Sequence, residues 1–145
     1  MKYKKFIEAK IEDLQLDAFN GRLPQRIQGK SEKDIIEWML SDDSFFDLIA
    51  SIGTYDFYFG EPLLVIESGQ QGKHIVIVGN RRLASCKILN NPALANVKNK
   101  RINNWVGEYK TEYSPQVIPA FVFYKREDIL IDLEYNPGPR LASRW

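Results

Sequence analysis

A chain of 145 residues, 44% hydrophobic and 27% charged, is long enough to bury one real core, so a single soluble-type domain is expected. Its net charge of +1 excludes a polycation, and any nucleic-acid contact has to come from a local patch. One cysteine excludes an internal disulfide. With no apolar run of membrane-span length, and none after the basic start Met1-Lys2-Tyr3-Lys4-Lys5-Phe6, the expected location is the cytoplasm, without a membrane partner.

Phe6 to Leu16 is expected to be one strand of mixed polarity, ending near Asp13-Leu14. Asn20-Gly21 and Pro24 mark a turn, and polar loop continues to Lys30. Ser31 is placed as an N-cap with Asp34 three residues on, close to a capping box. Ile35, Ile36, Met39 and Leu40 then share one helical face. After Ser41-Asp42-Asp43 a second helix runs through Phe45, Phe46, Leu48, Ile49 and Ile52 and is expected to stop at Gly53. Tyr55, Phe57, Tyr58 and Phe59 form an aromatic loop, expected to cap the core rather than line a ligand pocket. Leu63–Glu67 and His74–Val78 read as a hairpin joined by a polar connector with two glycines.

The most informative stretch runs from His74 to Leu89. It opens β-branched and apolar, turns at Gly79-Asn80, and closes as helix formers. Arg81 and Arg82 fall in the first helical turn. There the free backbone N–H groups and the helix dipole already favour an anion, so two cations cost a few tenths of a kcal/mol or more without a negative partner. A phosphate suits that position. The bland alternative is an internal partner such as Asp13 or Asp17, and at least one of the two arginines is expected to be structural. Cys86, on the same helix, reads as a small core residue. His74, the single histidine, reads as a half-exposed strand residue rather than a general base.

Asn90-Asn91-Pro92 ends the helix. A polar insertion over about 91–115 follows. It carries Lys98, Lys100 and Arg101 with Trp105, Tyr109 and Tyr113, a mixture that can contact nucleic acid. Gln116 to Tyr124 is a strand with Pro119 at an edge or bulge, and Lys125 to Tyr135 a helix. The domain is taken as residues 1–135, with 136–145 a tail leading toward a further segment.

Four pieces in order resemble the N-terminal domain of the ParB family, whose fold is shared with sulfiredoxin and a free-serine kinase. They are Asn20-Gly21-Arg22, the helix Phe46 to Gly53 followed by Glu61-Pro62-Leu63-Leu64-Val65, Val78-Gly79-Asn80-Arg81-Arg82-Leu83-Ala84, and Ile118-Pro119-Ala120-Phe121-Val122. The resemblance spans about Ile11 to Tyr135. It implies an α+β fold, a small mixed sheet with packed helices. In ParB proteins the Gly-x-Arg-Arg turn cradles the triphosphate of CTP and nucleotide binding switches a dimer that clamps DNA. By that resemblance Gly79, Asn80, Arg81 and Arg82 hold phosphates, with Arg22 as an extra cation. The implied ligand is CTP or ATP with Mg²⁺, the metal falling to Glu134 and Asn136. The implied partners are DNA and a second copy of the chain.

The sequence departs from the family in ways that matter. No DNA-reading helix-turn-helix fits after Tyr135. Sulfiredoxin needs a cysteine within the turn, where this chain has Asn80, with Cys86 about two helical turns on. Two rival functions stay open: a nuclease, phosphotransferase or slow nucleoside triphosphatase drawing on Asp13, Asp17, Glu61 or Glu67, and a non-catalytic interaction domain that keeps the motif for folding.

Overall fold

The computed structural model describes residues 3–95 and 112–135. It is an α+β fold built on a five-stranded mixed sheet. The strands are β1 (Lys5–Lys10), β2 (Leu14–Leu16), β3 (Leu63–Glu67), β4 (His74–Val78) and β5 (Val117–Phe123). The helices are α1 (Glu32–Met39), α2 (Asp43–Tyr55), α3 (Asn80–Asn90) and α4 (Arg126–Tyr135). Strand order is β1-β5-β3-β4-β2. β1 with β5 and β3 with β4 are antiparallel; β3 with β5 and β2 with β4 are parallel.

The main core lies on one face. Ala9, Leu63, Val65, Val76, Ile118, Ala120 and Val122 meet Ile35, Ile36 and Met39 of α1, Phe45, Ile49 and Ile52 of α2, and Leu83, Ala84 and Ile88 of α3. On the other face Leu64, Ile77, Val78 and Phe123 pack with Ile129 of α4. β3 is therefore covered on both sides, which explains why its sequence is a continuous apolar run rather than an alternation. Ser31 caps α1 by accepting a hydrogen bond from the Asp34 N–H, as its spacing predicts. The hairpin of β3 and β4 is also present.

Four expectations need correction. The strand expected over Phe6 to Leu16 is two strands, separated by a 3-10 turn at Ile11–Asp13. That turn sends β1 and β2 to opposite edges of the sheet. Gly53 does not stop α2; it is buried inside the helix, which runs on to Tyr55. Pro119 lies in an interior strand, opposite Glu8 of β1, where the ladder to β3 begins only at Ala120. The carbonyls of Gln116 and Val122 face β1, so Pro119, of opposite parity, turns its nitrogen toward the side where no β3 partner yet waits. Of the aromatic loop only Phe57 is core; Tyr55, Tyr58 and Phe59 are exposed.

Candidate functional site

β4 ends at the bend. Gly79 has φ +107°, a left-handed conformation that favours glycine, and a Cβ there would stand 2.2 Å from Leu63 Cδ2. It leads into α3, whose N-terminus has no side-chain cap and no acid in its first turn. Asn80 is buried and turned inward. Its Oδ1 accepts from the Asp17 N–H at 2.8 Å and its Nδ2 donates to the Val76 carbonyl at 3.0 Å. The side chain thus ties β4 to the loop after β2 and satisfies two backbone groups away from water.

The two arginines part. Arg81 runs over the start of α2, where Nη2 donates to Ser44 Oγ at 2.7 Å and stands 3.8 Å from Asp42 Oδ2. Its guanidinium lies 5.7 Å from the Phe45 ring centroid. The N–H and hydroxyl of Ser44, more than Arg81, hold the Asp42 carboxyl below the usual carboxylate range. Arg82 is 8% exposed; it donates to the Glu61 carbonyl and stacks 5.1 Å over Phe57. Arg82 is thus a structural arginine. Neither guanidinium pairs with Asp13 or Asp17, the internal partners expected from sequence. Asp13 takes Lys73 at 2.9 Å, and Asp17 takes Arg126.

Beside the bend lies a cavity of about 230 Å³ between the Asn20-Gly21-Arg22 loop, the end of β4 and α4. Asn20 shapes it, donating from Nδ2 to the Ile77 carbonyl at 3.4 Å and accepting the Arg22 N–H at 2.9 Å. Arg22 is exposed at its rim. Opposite, Arg126 forks onto Asp17 through Nη1–Oδ2 at 2.5 Å and Nη2–Oδ1 at 3.0 Å. That contact raises the Arg126 pKa. Asp17 is 2% exposed and also accepts the Phe19 N–H. Ile77, Val78, Leu130 and Leu133 give the cavity an apolar wall. Arg126 was not anticipated. A basic residue in the first turn of a helix was a faint signal, because Glu127 and Asp128 beside it already complement the dipole. Its partner, 109 residues away, leaves no local trace.

The other candidates disperse. Glu67 pairs with Lys4 at 2.7 Å at the far end of the sheet, and Glu61 is half-buried beside Arg82. Glu134 is exposed on α4. Its expected companion Asn136, and Lys98, Lys100 and Arg101, lie outside the described residues. No three His, Cys, Asp or Glu side chains among the described residues are grouped to share a metal ion. Cys86 is fully buried and burial pushes its thiol up to about 12, so it is core and no nucleophile at neutral pH. His74 is 8% exposed rather than half-exposed, and burial lowers its pKa. A larger groove of about 670 Å³, with Lys87, Glu32 and Asn90 on its walls, holds none of the residues anticipated as phosphate contacts. No described helix is long and apolar enough to cross a membrane.

No family model and no curated protein matches this sequence. Among solved structures it is similar to the C-terminally truncated chromosome-partitioning protein ParB from Caulobacter crescentus, complexed with CTP-gamma-S, at 19% identity and a TM-score of 0.48. The match covers 92% of this chain and 54% of that one, so the chain spans about half the length of the protein it resembles.

Proposed function

We propose that the chain is a nucleotide-binding regulatory domain of a DNA-associated protein, taking the phosphates of a nucleoside triphosphate at the Gly79–Arg82 bend. The observation that carries the reading is the uncapped start of α3: a glycine-led helix N-terminus with two arginines and no acid in its first turn. Backbone N–H groups there have no intrahelical acceptor, and a phosphate supplies one. Arg22 and Arg126 flank the adjoining cavity and extend the positive wall. Arg81 is the arginine able to turn to a ligand. Its contact with Asp42 is long and Asp42 is 60% exposed, so what it gives up on turning is chiefly the hydrogen bond to Ser44 Oγ. Arg82 stays with Glu61 and Phe57 and holds the bend in shape. A Mg²⁺ ion on bound phosphates needs only one or two protein carboxylates, and Glu134 is the proposed ligand, together with Asn136 two positions on in the sequence.

Calorimetry with CTP, ATP and GTP, each with Mg²⁺, tests this. One of them gives binding heat, and Arg81→Ala weakens it by about 1.5–3 kcal/mol, the range of a charge-assisted contact, while the fold holds. No heat and no melting shift with any of the three ends the reading for this domain.

A second reading has its own observation: Arg81 and Arg82 both have internal partners. In it the Gly-Asn-Arg-Arg turn is a folding device within an interaction domain. Its signature is a lower melting temperature for Arg81→Ala with no nucleotide effect. The nuclease and phosphotransferase reading has no such support, because Asp13, Asp17 and Glu67 are each engaged by a cation.

A further inference from the structure

The turn between β3 and β4 borders a second cavity, of about 400 Å³, at the end of the sheet away from the bend. Three strands supply its walls. Lys5 on β1 stands opposite Val122, Val122 opposite Val65, and Val65 opposite Val76. Partners across a sheet share a face, and so do residues two apart on one strand, so Lys5 and His74 rise from the same side. Glu67 of β3 stands directly opposite His74. Gln70, Gln71 and Lys73 come from the turn itself.

His74 is the informative member. It is 8% exposed, and its Nδ1 is sealed from solvent with no hydrogen-bond partner. A buried N–H without an acceptor is a rarer defect in folded proteins than a buried lone pair without a donor, which assigns the ring proton to Nε2. Nε2 is not sealed, and no described residue bonds to it, so it offers the cavity an unused N–H. The charged groups on the wall divide. Lys73 is held by Asp13 at 2.9 Å, and Glu67 by Lys4 at 2.7 Å. Lys5 is exposed and has no ion-pair partner among the described residues. The described wall therefore presents one uncommitted cation, one imidazole N–H and the side-chain amides of Gln70 and Gln71, while its one acid is already paired. A carboxylate, with one charge and two acceptor oxygens, matches that set. A phosphate dianion would keep a charge unbalanced close to Asp13 and Glu67.

We propose that this cavity binds a small polar monocarboxylate. Its carboxylate bridges Lys5 and His74 Nε2, and its polar remainder lies against Gln70 and Gln71. The site is at the opposite end of β4 from the proposed phosphate site and does not depend on it.

His74 is the chain's single histidine, so its ring protons give one assignable set of NMR signals. The probe is lactate, titrated into the whole chain at constant ionic strength with chloride as the balancing anion. The pH is held above 6.5, the ordinary histidine value, and burial lowers the His74 pKa further, so the ring is neutral. The His74 signals move along a saturating curve. Lys5→Gln raises the lactate concentration at half-saturation about tenfold, the effect of losing one charge-assisted contact, and Lys5→Arg keeps the wild-type value. Lys5 is exposed, so both variants fold. His74→Phe, followed through the backbone amides of Gln70 and Gln71, weakens lactate by a similar factor. Arg81→Ala leaves the curve unchanged, which separates this site from the nucleotide reading. No movement of the His74 signals with lactate overturns the proposal. A Lys5→Gln curve superimposed on the wild-type curve overturns it as well. So does inorganic phosphate saturating the signals at a lower concentration than lactate, since the cavity would then select charge and not a carboxylate.

Discussion

At the C-terminal end of β4, Asp17, Asn80 and Arg126 bond to one another and to backbone inside the protein, with Asp17 and Asn80 at 2% and 1% exposure. At the N-terminal end of this five-residue strand, the polar contacts are the ion pairs Lys4–Glu67 and Lys73–Asp13, whose side chains are more than one-third exposed. The same strand therefore ends once in a network with two buried members, Asp17 and Asn80, reached by Arg126 from the surface, and once in a solvated clasp. Screening and side-chain entropy make the second kind of contact nearly neutral, while in the first the removal of Arg126 or Asn80 leaves buried groups of Asp17 without a partner. The proposed nucleotide site lies at the first end, where donors and acceptors are held by buried partners.

The sharpest way to break this contrast is Gly79→Ala. The methyl group would sit 2.2 Å from Leu63 Cδ2, and φ +107° is costly for any residue with a Cβ. Overpacking and backbone strain together cost about 2–5 kcal/mol, a fall in melting temperature of order 10 °C in a thermal scan. A scan unchanged from wild type would show that the bend is looser than its contacts indicate. Asp17→Ala comes next. It removes both Arg126 hydrogen bonds and the acceptor of the Phe19 N–H. Because the Arg126 side chain is 34% exposed it can recover some hydration, so the expected loss is about 1–3 kcal/mol rather than that of a sealed pair. Denaturant unfolding measures it, and Arg126→Ala in the same background should add little if the two act as one unit.

The contrast was only partly legible in the sequence. What local chemistry decides came through: the Ser31 cap, the hairpin, the glycine bend before α3. What failed was set at a distance. Ile11-Glu12-Asp13 contains no glycine or proline, so nothing in it announced that one strand would become two on opposite edges. Gly53 read as a stop, yet helix packing kept it, and Asp56 took the unusual backbone angles instead. The bend was recognised for its charge, but where Arg81 and Arg82 would go depends on Ser44 and Glu61, brought in from 37 and 21 residues away. Arg126 shows the limit best, because the pair it makes with Asp17 joins residues 109 positions apart.

The smallest effect belongs to the solvated end and is best read against pH. Burial lowers the His74 pKa, and the groups around it pull both ways: Glu67 and Asp13 raise it, Lys5 and Lys4 lower it. The folded chain therefore keeps His74 neutral at a pH where the unfolded chain, with its ordinary value of 6.5, has begun to take up a proton. The unfolded state then binds more protons, so stability is full above that value and falls as pH drops below it. A second decline comes lower still. Lys73 and Lys4 hold Asp13 and Glu67 below their ordinary values, and that contribution is lost as pH falls through the carboxylate range. Melting temperature against pH should thus fall in two stages. His74→Phe removes the first, and Lys4→Met, which frees Glu67, flattens the second while barely moving the melting temperature at neutral pH. If Lys4→Met instead costs as much at neutral pH as Asp17→Ala, the two ends of β4 are not as different as their exposure makes them.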